Sequence, residues 1–114
     1  MSFSKEMRRK VYAKFGGHCA YCGNEITLKE MQVDHVKSIR KGGTDDYDNL
    51  FPSCRSCNHY KRSMDLEGFR EYLKTLHERI AKNYIVKVGM RYGMVSIKPF
   101  EGTFYFEFKR RTER

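Results

Sequence analysis

Two cysteine pairs, Cys19-Ala20-Tyr21-Cys22 and Cys54-Arg55-Ser56-Cys57, carry the first chemistry in this chain. Two residues between ligands let a tight turn bring both sulfurs to one side of a tetrahedral ion, at roughly 2.3 Å each. Four thiolates fill that shell and leave no position for water, so the spacing predicts a structural zinc rather than a catalytic one. Disulfide pairing or four unrelated thiols are the competing uses. The segment Met1–Lys10 has charges with no apolar run after them, so no secretory signal is expected. A reducing, cytoplasmic setting follows as the expectation, and there metal is favoured over disulfide.

The pairs are 31 residues apart, whereas simple zinc ribbons leave roughly 15–20. Inside the gap sits Val33-Asp34-His35-Val36, an acid and an imidazole side by side in an apolar, strand-like setting. Consecutive strand residues point to opposite faces. Asp34 and His35 can therefore meet one phosphate only where the strand is distorted or ends. Taken alone, the pair reads equally well as a solvated acid and histidine on an edge strand.

The wider order of residues decides between these. Asp34-His35, Gly42-Gly43, Asp48-Asn49-Leu50 and Cys54-x-x-Cys57-Asn58-x-x-Lys61 together resemble the HNH nuclease family. Cys19-x-x-Cys22 matches its zinc-containing branch. The resemblance covers residues 19–61 closely. Arg91-Tyr92-Gly93 and Phe104-Tyr105-Phe106-Glu107 are a softer match, to the tails of small stand-alone HNH proteins of phages and prophages.

That resemblance implies a ββα-metal, treble-clef-like core whose ends are clamped by zinc. It implies His35 as general base, since an imidazole titrates near neutrality and takes a proton from water. Asp34 and Asn58 would offer hard oxygens to a catalytic Mg²⁺ or Mn²⁺. Asn49 would pin the loop that carries His35, because its amide both donates and accepts. Many members have His after the second knuckle, and here Asn58 is followed by His59. The His-Asn-Asn form also belongs to the family, so Asn58 is the preferred ligand and His59 the second candidate. Lys61 and Arg62, one turn past Asn58, and Lys37, Arg40 and Lys41, after His35, are expected to hold phosphates.

The implied activity is hydrolysis of DNA, as a nick or a double-strand cut, leaving 5′-phosphate and 3′-hydroxyl ends. DNA is the expected partner, and phage packaging proteins are a further partner class. An RNase is a neighbouring reading, since such sites do not intrinsically reject a 2′-hydroxyl. A nonenzymatic zinc module that binds nucleic acid or protein is the reading from another class. It explains charge and cysteines but leaves Asp34, His35, Asn49 and Asn58 without a role.

The elements that must position these residues fit one domain of 114 residues, 39% hydrophobic and 32% charged. No run approaches the roughly 18 apolar residues of a membrane span. The net charge of +9 favours a polyanion partner, and a monomer is the favoured state. Ser4–Phe15 reads as a helix with Met7, Val11 and Phe15 on one face. A hairpin and a loop fill residues 18–49, and Cys54–Arg62 reads as a short helix. Asp65 opens a helix over 65–82 whose stripe of Leu66, Phe69, Leu73, Leu76 and Ile80 is expected to be core. Residues 84–93 fit strand or helical turn. Residues 94–109, with Phe104, Phe106 and Phe108 alternating with polar neighbours, predict a C-terminal β-hairpin. The basic tail 109–114 is expected to fray and add nonspecific affinity. His18 and His77 are expected to be structural or on the surface. The fold class is α+β.

Overall fold

Helix α1 (Lys5–Ala13) begins where Ser4 Oγ accepts the Met7 amide at 3.0 Å, a side-chain cap for one of the orphan donors of a first turn. Its apolar face delivers Val11, wholly buried, and the chain just beyond it delivers Phe15. The helix stops at Ala13, two residues short of the expected end, because Gly16 and Gly17 take positive φ and turn the chain back. Arg8 donates to the carbonyls of Leu28 and Met31 at 2.8 and 3.0 Å. Tyr12 donates to that of Ile26 at 2.8 Å. The segment between the first knuckle and the sheet is thus held to α1 by side chains reaching backbone.

This computed structural model describes residues 3–112, and side chains through Lys109. They form two compact units. The first runs to Leu66 and resumes at Phe104; the second spans Glu67–Thr103.

In the first unit, β1 (Gln32–His35) pairs antiparallel with β2 (Leu50–Ser53), in the register Asp34 opposite Phe51 and His35 opposite Leu50. The hairpin therefore closes around a long loop, and its second strand lies beyond the stretch where the sequence suggests one. Pro52 masks it, since proline removes a ladder donor and is confined to edges. Pro52 keeps its acceptor, and its carbonyl takes the Ala20 amide at 2.9 Å, so the first knuckle covers that edge. All four β2 residues are buried.

The loop between the strands folds back tightly. A Cβ on Gly43 would stand 1.8 Å from the Lys37 carbonyl oxygen, so only glycine lets the two segments touch. Helix α2 (Arg55–Lys61) follows β2, with Cys54 Sγ accepting the Cys57 amide at 3.3 Å.

The C-terminal hairpin expected over 94–109 is not formed. Residues 94–104 carry no regular structure, and α6 (Tyr105–Thr112) follows. Glu107 reaches back to the Phe104 amide at 3.0 Å, half of a capping box. The orphan amides of Tyr105 and Phe106 donate to the carbonyls of Tyr21 and Ala20 at 3.1 and 2.8 Å. Those partners satisfy a helix start and would leave a strand unpaired. Phe104 and Phe106 are buried while Phe108 is 56% exposed, a break in alternation. Phe51 and Phe106 meet at 4.7 Å between ring centroids, and Tyr21 sets its edge against Phe104 at 5.3 Å. These rings, with Phe15, pack beside Val11, Met31 and Leu50 among the buried residues of the first unit. Of the basic tail, backbone through Thr112 continues α6; residues 113 and 114 and the side chains from 110 on lie outside the described residues.

The second unit replaces the single expected helix over 65–82 with α3 (Leu66–Lys74) and α4 (Leu76–Ala81), broken at Thr75, whose hydroxyl bonds the Tyr72 carbonyl at 3.0 Å. Such back-bonding competes with the helical ladder. Of the predicted stripe only Phe69 is fully buried, and Ile80 is 38% exposed. Residues 84–93 resolve as helix: α5 (Tyr84–Arg91) is capped by Asn83, which accepts the Ile85 and Val86 amides. Among the described residues no helix is long and apolar enough to cross a membrane.

Gly43→Ala should lower stability by about 1–3 kcal/mol, the usual cost of forcing atoms into filled space. Thermal melting checks this; an unchanged melting temperature would show that the loop relaxes freely.

Candidate active site

The two knuckles converge. Their four Sγ atoms lie within 4.8 Å of one another, with Cys22 and Cys54 at 3.8 Å, and no disulfide joins them. Hydrogen bonds from Cys22 and Cys57 hold the Cys19 thiol far below its ordinary value. The same bond to Cys19 pushes Cys22 up to about 11, and Cys57 rises further still. One negative sulfur thus suppresses ionisation of its neighbours. Four thiolates can share this volume only around a cation, and four soft donors at these separations fit a tetrahedral metal. Cys19, Cys22, Cys54 and Cys57 would hold it.

A second centre lies at the end of β1. Because the strand stops at His35, the alternation of faces lapses there, and Asp34 and His35 line one cleft of about 240 Å³. Asn58 and Arg62 enter it from α2 and its end, and Arg40 from the loop. Asn58 Nδ2 lies 3.4 Å from Asp34 Oδ1, so the two oxygen-bearing side chains expected at a hard metal are neighbours. His59 is exposed and is not among the cleft's lining residues. Asn49 is not among the cleft's lining residues. Its amide donates to the carbonyls of Lys37 and Thr44 at 2.9 and 2.7 Å, and its oxygen accepts the Lys37 amide at 2.9 Å. The loop is stapled at both ends by one side chain. Lys37 and Lys41 are exposed on that loop, outside the cleft lining.

Residues 19–63 match the family model described as HNH endonuclease. That match marks an HNH endonuclease domain at residues 19–63. A CRISPR-associated endonuclease Cas9 of Corynebacterium diphtheriae is 30% identical over 104 residues, covering 82% of this chain and 9% of that protein. The Type II-C Cas9 enzyme from Actinomyces naeslundii superimposes with a TM-score of 0.53 over 61% of this chain and 8% of that one, at 23% identity. That second likeness is one of fold. The chain spans less than a tenth of either relative's length.

Within the HNH domain, Lys61 departs from expectation. It is wholly buried, and its ammonium lies 3.3 Å from Asp34 Oδ2 and 3.0 Å from the His35 carbonyl oxygen. A phosphate contact from that position is not available; the charge is spent on a buried acid and on the backbone at the end of β1. Asp34 also accepts the Tyr21 hydroxyl at 2.5 Å. Burial pushes the Asp34 carboxyl upward against the pull of Lys61, and it pushes the Tyr21 phenol well above its usual range.

Sequence alone does not single out Asp45, whose Oδ1 lies 2.7 Å from His35 Nε2. The available signal is the acidic run Asp45-Asp46-Tyr47-Asp48, one residue after the glycine pair. Arg62 is the one non-glycine residue at positive φ among the described residues, at 54°. A conformation of that kind costs on the order of 1–3 kcal/mol and is found where surroundings hold a side chain in a working position.

Lys61→Met should destabilise the fold by about 3–5 kcal/mol, the cost of stranding a buried charge. Adding Asp34→Asn should recover much of the loss. Because the folded-state pKa of Asp34 is raised, its ionised form is the costly one. The Lys61→Met penalty should therefore shrink as pH falls through the Asp34 titration and be greatest above it. Denaturant melts of both variants across mildly acidic to neutral pH measure this.

Proposed function

We propose that this chain is a metal-dependent HNH endonuclease that hydrolyses DNA phosphodiester bonds, with β1, β2 and α2 as the ββα-metal unit. The observation that supports it is the meeting of His35, Asp34 and Asn58 on one arginine-flanked cleft inside the matched domain. His35 is the general base. With Asp45 accepting on Nε2, the ring proton sits there and Nδ1 is left as the acceptor for a proton from water. Asp45 then steadies the imidazolium that forms, the role an orienting carboxylate plays beside a catalytic histidine. Asp34 and Asn58 would hold a Mg²⁺ or Mn²⁺ ion, which when bound supplies positive charge beside the scissile phosphate. Arg62 and Arg40 hold the flanking backbone, and Asn49 keeps the His35 loop in place. The water adds to phosphorus opposite the 3′ oxygen, which leaves, so the ends are 5′-phosphate and 3′-hydroxyl.

The four cysteines hold zinc in a purely structural role. Wild type should contain one zinc per chain by atomic emission. Cys54→Ser should lose it and unfold, since binding energy of this kind is also folding energy. A variant that melts like wild type without zinc contradicts the assignment.

On supercoiled plasmid with Mg²⁺ or Mn²⁺, wild type should nick, and His35→Ala should be slower by roughly 10²–10⁴-fold with zinc content and melting unchanged. Asp45→Asn should fall between them. If wild type fails with every divalent metal, or His35→Ala nicks equally fast, the nuclease reading is wrong.

A further inference from the structure

The second unit holds a surface that the nuclease reading leaves unused. From Lys82 to Lys98 the chain carries Lys82, Lys87, Arg91 and Lys98 and no carboxylate. Helix α5 places Tyr84, Lys87, Val88 and Arg91 at spacings that share one face. With Ala81 and Met90 they line a cleft of about 410 Å³. Tyr84 is 81% exposed and Tyr92, just past the helix, 76%. Among the described residues neither ring has a stacking partner, and neither Lys87 nor Arg91 has a carboxylate to pair with. The ends of the Tyr84–Arg91 stripe are roughly 10 Å apart along the helix axis.

An apolar protein partner would bury these cations without compensation, which is costly. A polyanion satisfies them, and one with accessible flat rings also uses the tyrosine. Duplex DNA keeps its base faces stacked inside. The combination of an aromatic platform flanked by cations is what unpaired nucleotides require.

We propose that this face of α5 binds single-stranded nucleic acid, with a base stacked on Tyr84 in the cleft and adjacent phosphates on Lys87 and Arg91. It is a binding site separate from the His35 cleft, and it stands whether or not that cleft cuts. The full-length chain carrying His35→Ala is titrated by fluorescence anisotropy, without divalent metal, against a labelled oligothymidylate of roughly 15 nucleotides and a duplex of equal length.

Adding Tyr84→Ala should weaken oligothymidylate binding by roughly 5- to 150-fold and change duplex binding little, while Tyr84→Phe, which keeps the ring, should bind like the parent. Lys87→Gln with Arg91→Gln should flatten the salt dependence by about 1.4 units of slope. Tyr84 is exposed, so the far-ultraviolet circular dichroism of its variants should match the parent. Equal binding by Tyr84→Ala and parent overturns the proposal. So does a concentration-dependent dimer that Tyr84→Ala dissolves, which would make this face a self-interface. Nicking is scored separately on the protein with His35 intact, so a chain that binds oligothymidylate and never nicks refutes the nuclease reading alone.

Discussion

Asp34 and Lys61 form an ion pair that water barely reaches, and the geometry of the cleft depends on it. Taking two charges out of water is expensive, and mutual attraction repays it only when the remaining donors and acceptors are also satisfied. Here they are. Tyr21 takes one carboxylate oxygen, Asn58 lies at the other, and the ammonium also reaches the carbonyls of His35 and Val36. The pair therefore ties together the first knuckle, β1 and α2. It also holds the backbone of the very residue expected to act on water. An apolar pair of similar volume could fill this space, but it could not leave an oxygen donor beside Asn58.

The two cysteine pairs set the same elements from the other side. Cys54 is both a corner of the thiol cluster and the cap of α2, so the turn that points Asn58 and Lys61 inward starts at that cluster. Tyr21 lies between two cysteines and spans from the cluster to Asp34. Its backbone carbonyl, with that of Ala20, starts α6 and seats Phe104 and Phe106 against Phe51. Losing the cluster would thus loosen the acid, the helix and the aromatic core together.

What could be read in the sequence was what depends on local spacing. A Cys-x-x-Cys turn and the order Asp34-His35, Asn49, Asn58 are short-range facts, and the structure gathers the four cysteines at one centre and Asp34, His35 and Asn58 at another. Features decided by distant partners were not legible. Three alternating phenylalanines look like a strand until the carbonyls of Ala20 and Tyr21 and the carboxylate of Glu107 accept the amides of a helix start. The second strand hid behind Pro52, whose carbonyl accepts the Ala20 amide and so seats the first knuckle on that edge. Lys61 reads as a solvated phosphate ligand because lysine is rarely buried unless paired, and the partner that buries it lies 27 residues away. Asp45 was one acid among several in a loop, and only the fold sets it against His35.

Charge placement links the buried pair to the cleft's use. Lys61 offsets Asp34 from inside, so an approaching phosphate does not meet a bare carboxylate. Asp45 lies against the imidazole of His35. The cations left facing the cleft are Arg40 and Arg62, neither of which has a carboxylate partner among the described residues. A concave site with this balance raises the local concentration of an anionic backbone, and salt weakens the effect. The chain's net charge of +9 supplies only a general attraction. On the proposed reading, a phosphate would be drawn toward His35 because Lys61 offsets Asp34 while Arg40 and Arg62 line the same cleft without an acid of their own.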